Sequence, residues 1–278
     1  MDGNEFHERL DAFYAAGDVA GAYAFLRAQR GAALERGDRM ALLTADNALI
    51  GHCRENVIFD EVEGYYQEAK DCIERLGLHG THAEATTFLN TATAMCIMGR
   101  AEESEALYDA AEAIYREILP PNDPYMAAVS NNRGLLLRAQ GNAAAAYASF
   151  QKALAVLHAC PDTEAETAAT LLNLASVSPD TQTAEAHLAA ARPYFASEDG
   201  QHDIHRFTAM AASAELAYRR GDFAAAGKGF EETAEQWARA ALAPQRRIVL
   251  LRNALASYEK AGDAACADRI RAMLEEAK

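Results

Sequence analysis

A chain of 278 residues that is 50 % apolar and 24 % charged has enough apolar surface for a large core and is not of the disordered class. Its formal charge of −15 argues against blanket nucleic-acid binding, because neutralising phosphates takes clustered Lys and Arg. That leaves an acidic soluble surface or a basic partner.

Glycine and proline are scarce (17 and 7) and alanine-rich runs such as GNAAAAYASFQKALAVL recur, so the chain reads as helix nearly throughout. In chain order the predicted elements are seven helical hairpins: 3–37, turning at Gly17–Asp18; 38–79, turning at Asn56; 81–120, turning at Gly99; 123–160, turning at Gly141–Asn142; 163–198, turning at Pro179–Asp180; 202–242, turning at Gly221–Asp222; and 244–278, turning at Gly262–Asp263. Glycine ends a helix readily, and Asp or Asn after it caps the next. Between hairpins lie RGDR (36–39), GLHG (77–80), LPPNDP (119–124), CPDT (160–163), EDGQ (198–201) and ALAP (241–244). Thr81 with Glu84 and Thr163 with Glu166 are spaced as capping boxes, while Pro124 and Pro244 suit a first helical position. One unit is about 40 to 42 residues long, a period that marks a repeat array. A single hairpin cannot bury its apolar face alone, so the expected fold is all-α, an α-α superhelix (solenoid) over 1–278 with no domain boundary. The final DAACADRIRAMLEEAK sets Ile270 and Leu274 on one side and charge on the other, as a capping helix should.

Fixed offsets follow the turns. Five, nine and twelve residues after Gly141 stand Ala146, Phe150 and Ala153; Gly99 is followed by Ser104, Tyr108 and Ala111, and Gly221 by Ala226, Phe230 and Thr233. Small positions let two helices approach and the aromatic fills the space between them, so all are read as core, with Trp237 and the tyrosines. Seven residues before the turn glycine stand the small Gly134, Ala92 and Ala214, and Tyr258 holds an aromatic place in its first helix. These positions resemble the tetratricopeptide repeat, in a longer unit than the usual 34 residues, similar to the kinesin light chain type. LPPNDPYMAAVSNNRGLLLRAQGNAAAAYASFQKALAVL looks like one such repeat. Arg133 and Thr91 stand where that family prefers leucine, the second hairpin lacks the glycine and the fifth has a shortened turn.

Asparagine is a poor helix former because its amide competes for backbone hydrogen bonds, yet Asn47, Asn90, Asn132, Asn173 and Asn253 share one repeat position, nine residues before the turn or aligned with it. The resemblance implies that this position faces a concave groove and forms an asparagine ladder along a bound peptide's backbone. A carboxamide suits that task, since it both donates and accepts. The alternative is that the amides tie adjacent helices together; the two roles can coexist. Asn131 is a further groove candidate; in the same register Arg54, Arg138 and Arg252 are candidates for an acidic group, and Asp11, Asp46, Glu215 and Glu259 for a basic one.

Little else points to chemistry. His79 with His82 and His202 with His205 have i,i+3 spacing, but no further ligand stands at a recognised metal spacing. There is no P-loop, GxGxxG or GxSxG, and Cys53 beside His52 points away from it on a helix. The five cysteines (Cys53, Cys72, Cys96, Cys160, Cys266) form no CxxC pair and read as reduced core residues. MDGNEFHERL has no apolar stretch of signal-peptide length and no run approaches a membrane span. The expectation is therefore a cytoplasmic, non-enzymatic scaffold without cofactor or metal, binding a protein or peptide but neither nucleic acid nor membrane, as a monomer or weak homo-oligomer. Two alternatives stand beside it. One is a regulatory sensor arm for a signalling peptide, similar to bacterial peptide-pheromone receptors but without the helix-turn-helix they carry; the other is a homo-oligomerisation module.

Overall fold

Helix ends fall where the turn chemistry places them. The computed structural model describes residues 3–56, 58–240, 242 and 244–277, which form fifteen α-helices and one 3₁₀ turn, with no strand among them. They group into two compact units, Met1–Pro161 and Asp162–Lys278. The first holds four hairpins: α1 (Gly3–Ala15) with α2 (Val19–Arg36), α3 (Arg39–Asn56) with α4 (Val62–Leu76), α5 (His82–Ile97) with α6 (Ala101–Ile118), and α7 (Pro124–Ala139) with α8 (Ala143–Leu157). The second holds α9 (Glu164–Val177) with α10 (Thr181–Ala196), a short α11 (Glu198–His202), α12 (His205–Arg219) with α13 (Phe223–Arg239), and α14 (Pro244–Ala261) with α15 (Ala264–Glu276). Within each unit successive hairpins pack on one another, α5 against both α3 and α7, and α12 against both α9 and α10. Ala241 and Ala243 of the ALAP break lie outside the described residues.

The glycine turns form as expected. Gly141 has φ +78°, a conformation that costs glycine nothing and other residues about 1 kcal/mol or more. The next residue caps the following helix: the carboxylates of Asp18, Asp222 and Asp263 and the amide oxygen of Asn142 each accept an N–H three residues on, at 2.8, 3.1, 3.0 and 3.2 Å. Asp123 caps α7 with Pro124 at its first position. The two capping boxes do not form. Thr81 donates its hydroxyl to Leu78 O at 2.6 Å, and Glu84 accepts from the Gly80 N–H at 2.7 Å instead. Thr163, with φ −122° and ψ 28°, lacks the extended backbone that aims a cap side chain at its helix. The EDGQ break is itself helical. Ser197 caps α11 through the Gly200 N–H, and an added Cβ at Gly200 would stand 2.0 Å from Tyr194 O, so only glycine permits this close return of the chain.

The offset residues form the core. Tyr108, Phe150 and Phe230 are 0, 0 and 3 % exposed, and Ser104, Ala111, Ala146, Ala153, Ala226 and Thr233 are fully buried. Gly134 faces Phe150 so closely that an added Cβ would lie 2.4 Å from the ring. Ser104 solves its burial by donating to Ala92 O at 2.8 Å. Trp237 is buried edge-on to Phe207, and Ile270 on α15 is sealed against the core of the second unit. Arg133, where a leucine was expected, lies over buried Glu112, which also takes Arg116 and Lys152.

Candidate functional site

The first helices of hairpins two, three and four lie side by side, and each presents its repeat asparagine half-buried: Asn47 on α3, Asn90 on α5, Asn132 on α7. Their environments differ. Asn47 donates Nδ2–H to Thr87 Oγ1 at 2.9 Å, and Asn132 donates Nδ2–H to Thr93 Oγ1 at 3.2 Å. Both threonines belong to α5 and stand three residues either side of Asn90, on its face of the helix. Each threonine hydroxyl donates its own proton to the carbonyl four residues back, Ala83 O and Leu89 O, both at 2.9 Å. A hydroxyl has one proton, so towards the asparagine it can only accept. That fixes the amides: nitrogen towards α5, oxygen away. Asn131 in turn donates to Asn132 Oδ1 at 3.4 Å.

Between these two ties Asn90 has no hydrogen-bond partner among the described residues. It is the rung that keeps both donor and acceptor uncommitted. Two helical turns on from Asn47 and Asn90 stand Arg54 and Ile97. Ile97 is 54 % exposed; Arg54 forks onto its neighbour Glu55 at 3.0 and 2.7 Å. Arg138, two turns beyond Asn131, is exposed and close enough to Cys96 to act on its thiol electrostatically.

The other sequence candidates lie elsewhere. Asn173 on α9 is half-buried and engaged within the protein. Asn253 and Arg252 are exposed on α14, as are Asp11 on α1 and Glu215 on α12. Glu259 is exposed and pairs with Arg271 at 2.5 Å. Asp46 is not on an open face. It is fully buried and takes Arg30 Nε at 2.6 Å from α2, with its second oxygen unpartnered. Burial raises its carboxyl to about 6, against the pull of Arg30. Asp46 adjoins Asn47 in sequence, and adjacent helical side chains point apart, which is why the two differ.

The histidines are absorbed by local structure. His79 stands between Glu74 and Glu84, and His205 bonds Asp203. His82 packs edge-on to Tyr125 at 4.3 Å, and His202 meets Glu198 O. No group of three or more His, Cys, Asp or Glu among the described residues could hold a metal ion, and no helix is long and apolar enough to cross a membrane. No disulfide joins the five cysteines, and Cys53 and Cys72 are fully buried; burial pushes the Cys53 thiol up to about 11, far from a reactive thiolate. Thr87 and Thr93 were missed in the sequence reading. Their signal was there in TFLNTAT (87–93), an asparagine with threonine at i−3 and i+3.

No family model matches the chain, and no curated protein matches it. Solved structures do. BtubC (BKLC) from P. vanneervenii is similar at a TM-score of 0.62 with 18 % identity, over 79 % of this chain and 90 % of that one. A putative kinesin light chain with nearly identical TPR-like repeats from Podosopora anserina is similar at a TM-score of 0.53 with 16 % identity, over 69 % of this chain and 93 % of that one. At such identities the likeness establishes a TPR-like helix-pair architecture.

Proposed function

We propose that this chain is a non-catalytic, cytoplasmic scaffold that holds an extended protein or peptide segment along the face of α3, α5 and α7, with Asn90 as the amide that meets the ligand backbone. The observation that carries this reading is the contrast within one repeat position. Asn47 and Asn132 commit their donors to the threonines of α5, whereas Asn90 between them commits nothing. A helix interior gains nothing from an asparagine that bonds nothing, so its reason lies outside the chain. The amide would pair with a peptide N–H and C=O at once, contacts that give affinity and orientation without reading side chains. Exposed Ile97, together with Arg54, Asn131 and Arg138, would supply selectivity. Asn173, Arg252 and Asn253, in the second unit, belong to the same repeat register and would meet a ligand only there.

The test is quantitative mass spectrometry of proteins copurifying with the native chain and with Asn90→Ala. At least one partner should fall about tenfold, the equivalent of one lost amide pair, with unfolding unchanged. Retention of every partner by the variant would overturn the proposal.

A further inference from the structure

The unit Asp162–Lys278 contains a groove of about 620 Å³ between α9 and α10. Its floor is apolar, the buried Ala168 and Leu171 of α9, and exposed Ala190 and Pro193 of α10 form a wall beside Thr167, Tyr194 and Ser197. Its rim is acidic, with Asp162, Glu164 and Asp199, and no cationic side chain lines it. None of the three carboxylates has an ion-pair partner among the described residues.

We infer that this groove docks a lysine- or arginine-bearing segment of a partner protein. Charge complementarity selects the occupant. A purely apolar segment would cover the rim and desolvate carboxylates with nothing to pair them, which is costly. A small hydrated cation would leave the floor unused. A long basic side chain satisfies both, with its aliphatic stem along Leu171 and Pro193 and its charged head at the rim. The site is separate from Asn90, and it gives the net charge of −15 a local use that the proposed scaffold role does not.

The test is fluorescence anisotropy on the full chain with a short labelled peptide of alternating Ala and Lys, against its Ala–Glu counterpart. The Ala–Lys peptide should bind and the Ala–Glu peptide should not. Glu164→Gln with Asp199→Asn, both exposed positions, should weaken binding about fivefold or more. Ala190→Phe, which fills the groove and leaves every charge in place, should do the same. Glu105→Gln with Glu117→Gln on α6 removes equal charge elsewhere and should change binding less than about twofold. The inference is overturned if the Ala–Lys peptide fails to bind. It is also overturned if Ala190→Phe binds as the native chain does, or if the α6 pair loses as much as the rim pair, since attraction would then be diffuse.

Discussion

Phe150→Ala is expected to cost about 3–5 kcal/mol of unfolding free energy, the usual range for emptying a fully buried aromatic position. Phe150 is the aromatic that fills the fourth hairpin, 0 % exposed, with its ring directly over Gly134. The space cannot collapse easily, because α7 and α8 are already at the close approach that Gly134 permits. The same contact predicts a reversal. In the native chain Gly134→Ala is unfavourable, since its Cβ would stand 2.4 Å from the ring, an overpacking worth about 1–3 kcal/mol. In the Phe150→Ala background that methyl enters the cavity and adds the helix propensity of alanine, so the second substitution should stabilise. Urea unfolding followed by helix signal checks both; a Phe150→Ala loss below about 1 kcal/mol, or a Gly134→Ala effect of one sign in both backgrounds, would contradict the packing described.

The second large effect is expected at Glu231. This buried carboxylate joins three helices of the second unit: from α13 it accepts Tyr258 OH of α14 at 2.7 Å and Arg269 Nε and Nη2 of α15, both at 2.8 Å. Arg269, and after it the Tyr258 hydroxyl, hold its carboxyl below the ordinary glutamate range against the opposing effect of burial. Glu231→Ala leaves a buried hydroxyl and a guanidinium without their acceptor. A buried pair broken in this way costs about 3–5 kcal/mol; because the Arg269 side chain is 52 % exposed, about 2–3 kcal/mol is the expected loss near neutral pH. The pH dependence has a definite sign. A depressed folded value means that the stabilisation is complete above the unfolded glutamate value and disappears as pH falls through the folded one. The gap between native chain and Glu231→Ala should therefore be constant from neutral pH down to the ordinary glutamate range and close below it. Urea unfolding across that series is the check, and a gap that widens on acidification would contradict it.

Much of this was legible in the sequence, for a physical reason. Turns, caps and the small–aromatic–small spacing are local instructions, repeated several times, so Gly141, Asn142 and Phe150 could be placed without coordinates. What could not be read depends on partners distant along the chain. Asn47 bonds Thr87, 40 residues on, and nothing near Asn47 announces that its donor is taken. Asp46 read as an open acid because the register alone does not show Arg30 crossing from α2 to bury it. The capping boxes failed on backbone geometry that a four-residue pattern does not encode, and the α11 turn rests on the tight fit at Gly200. The repeat position of the asparagines was visible; their division of labour was not.

That division is most directly tested by the unfolding free energies of Asn47→Ala, Asn90→Ala and Asn132→Ala, measured side by side in urea. All three changes add the same helix propensity, so their differences report the hydrogen bonds of each amide and, at Asn47, the removal of a buried Oδ1 that has no partner. Asn132→Ala should be about 1 kcal/mol less stable than Asn90→Ala, the net worth of one hydrogen bond between hairpins, and Asn47→Ala should lose in the same direction by less, because its orphaned Oδ1 goes too. Three equal values, or the greatest loss at Asn90, would contradict the assignment of Asn90 as the uncommitted amide of the ligand face.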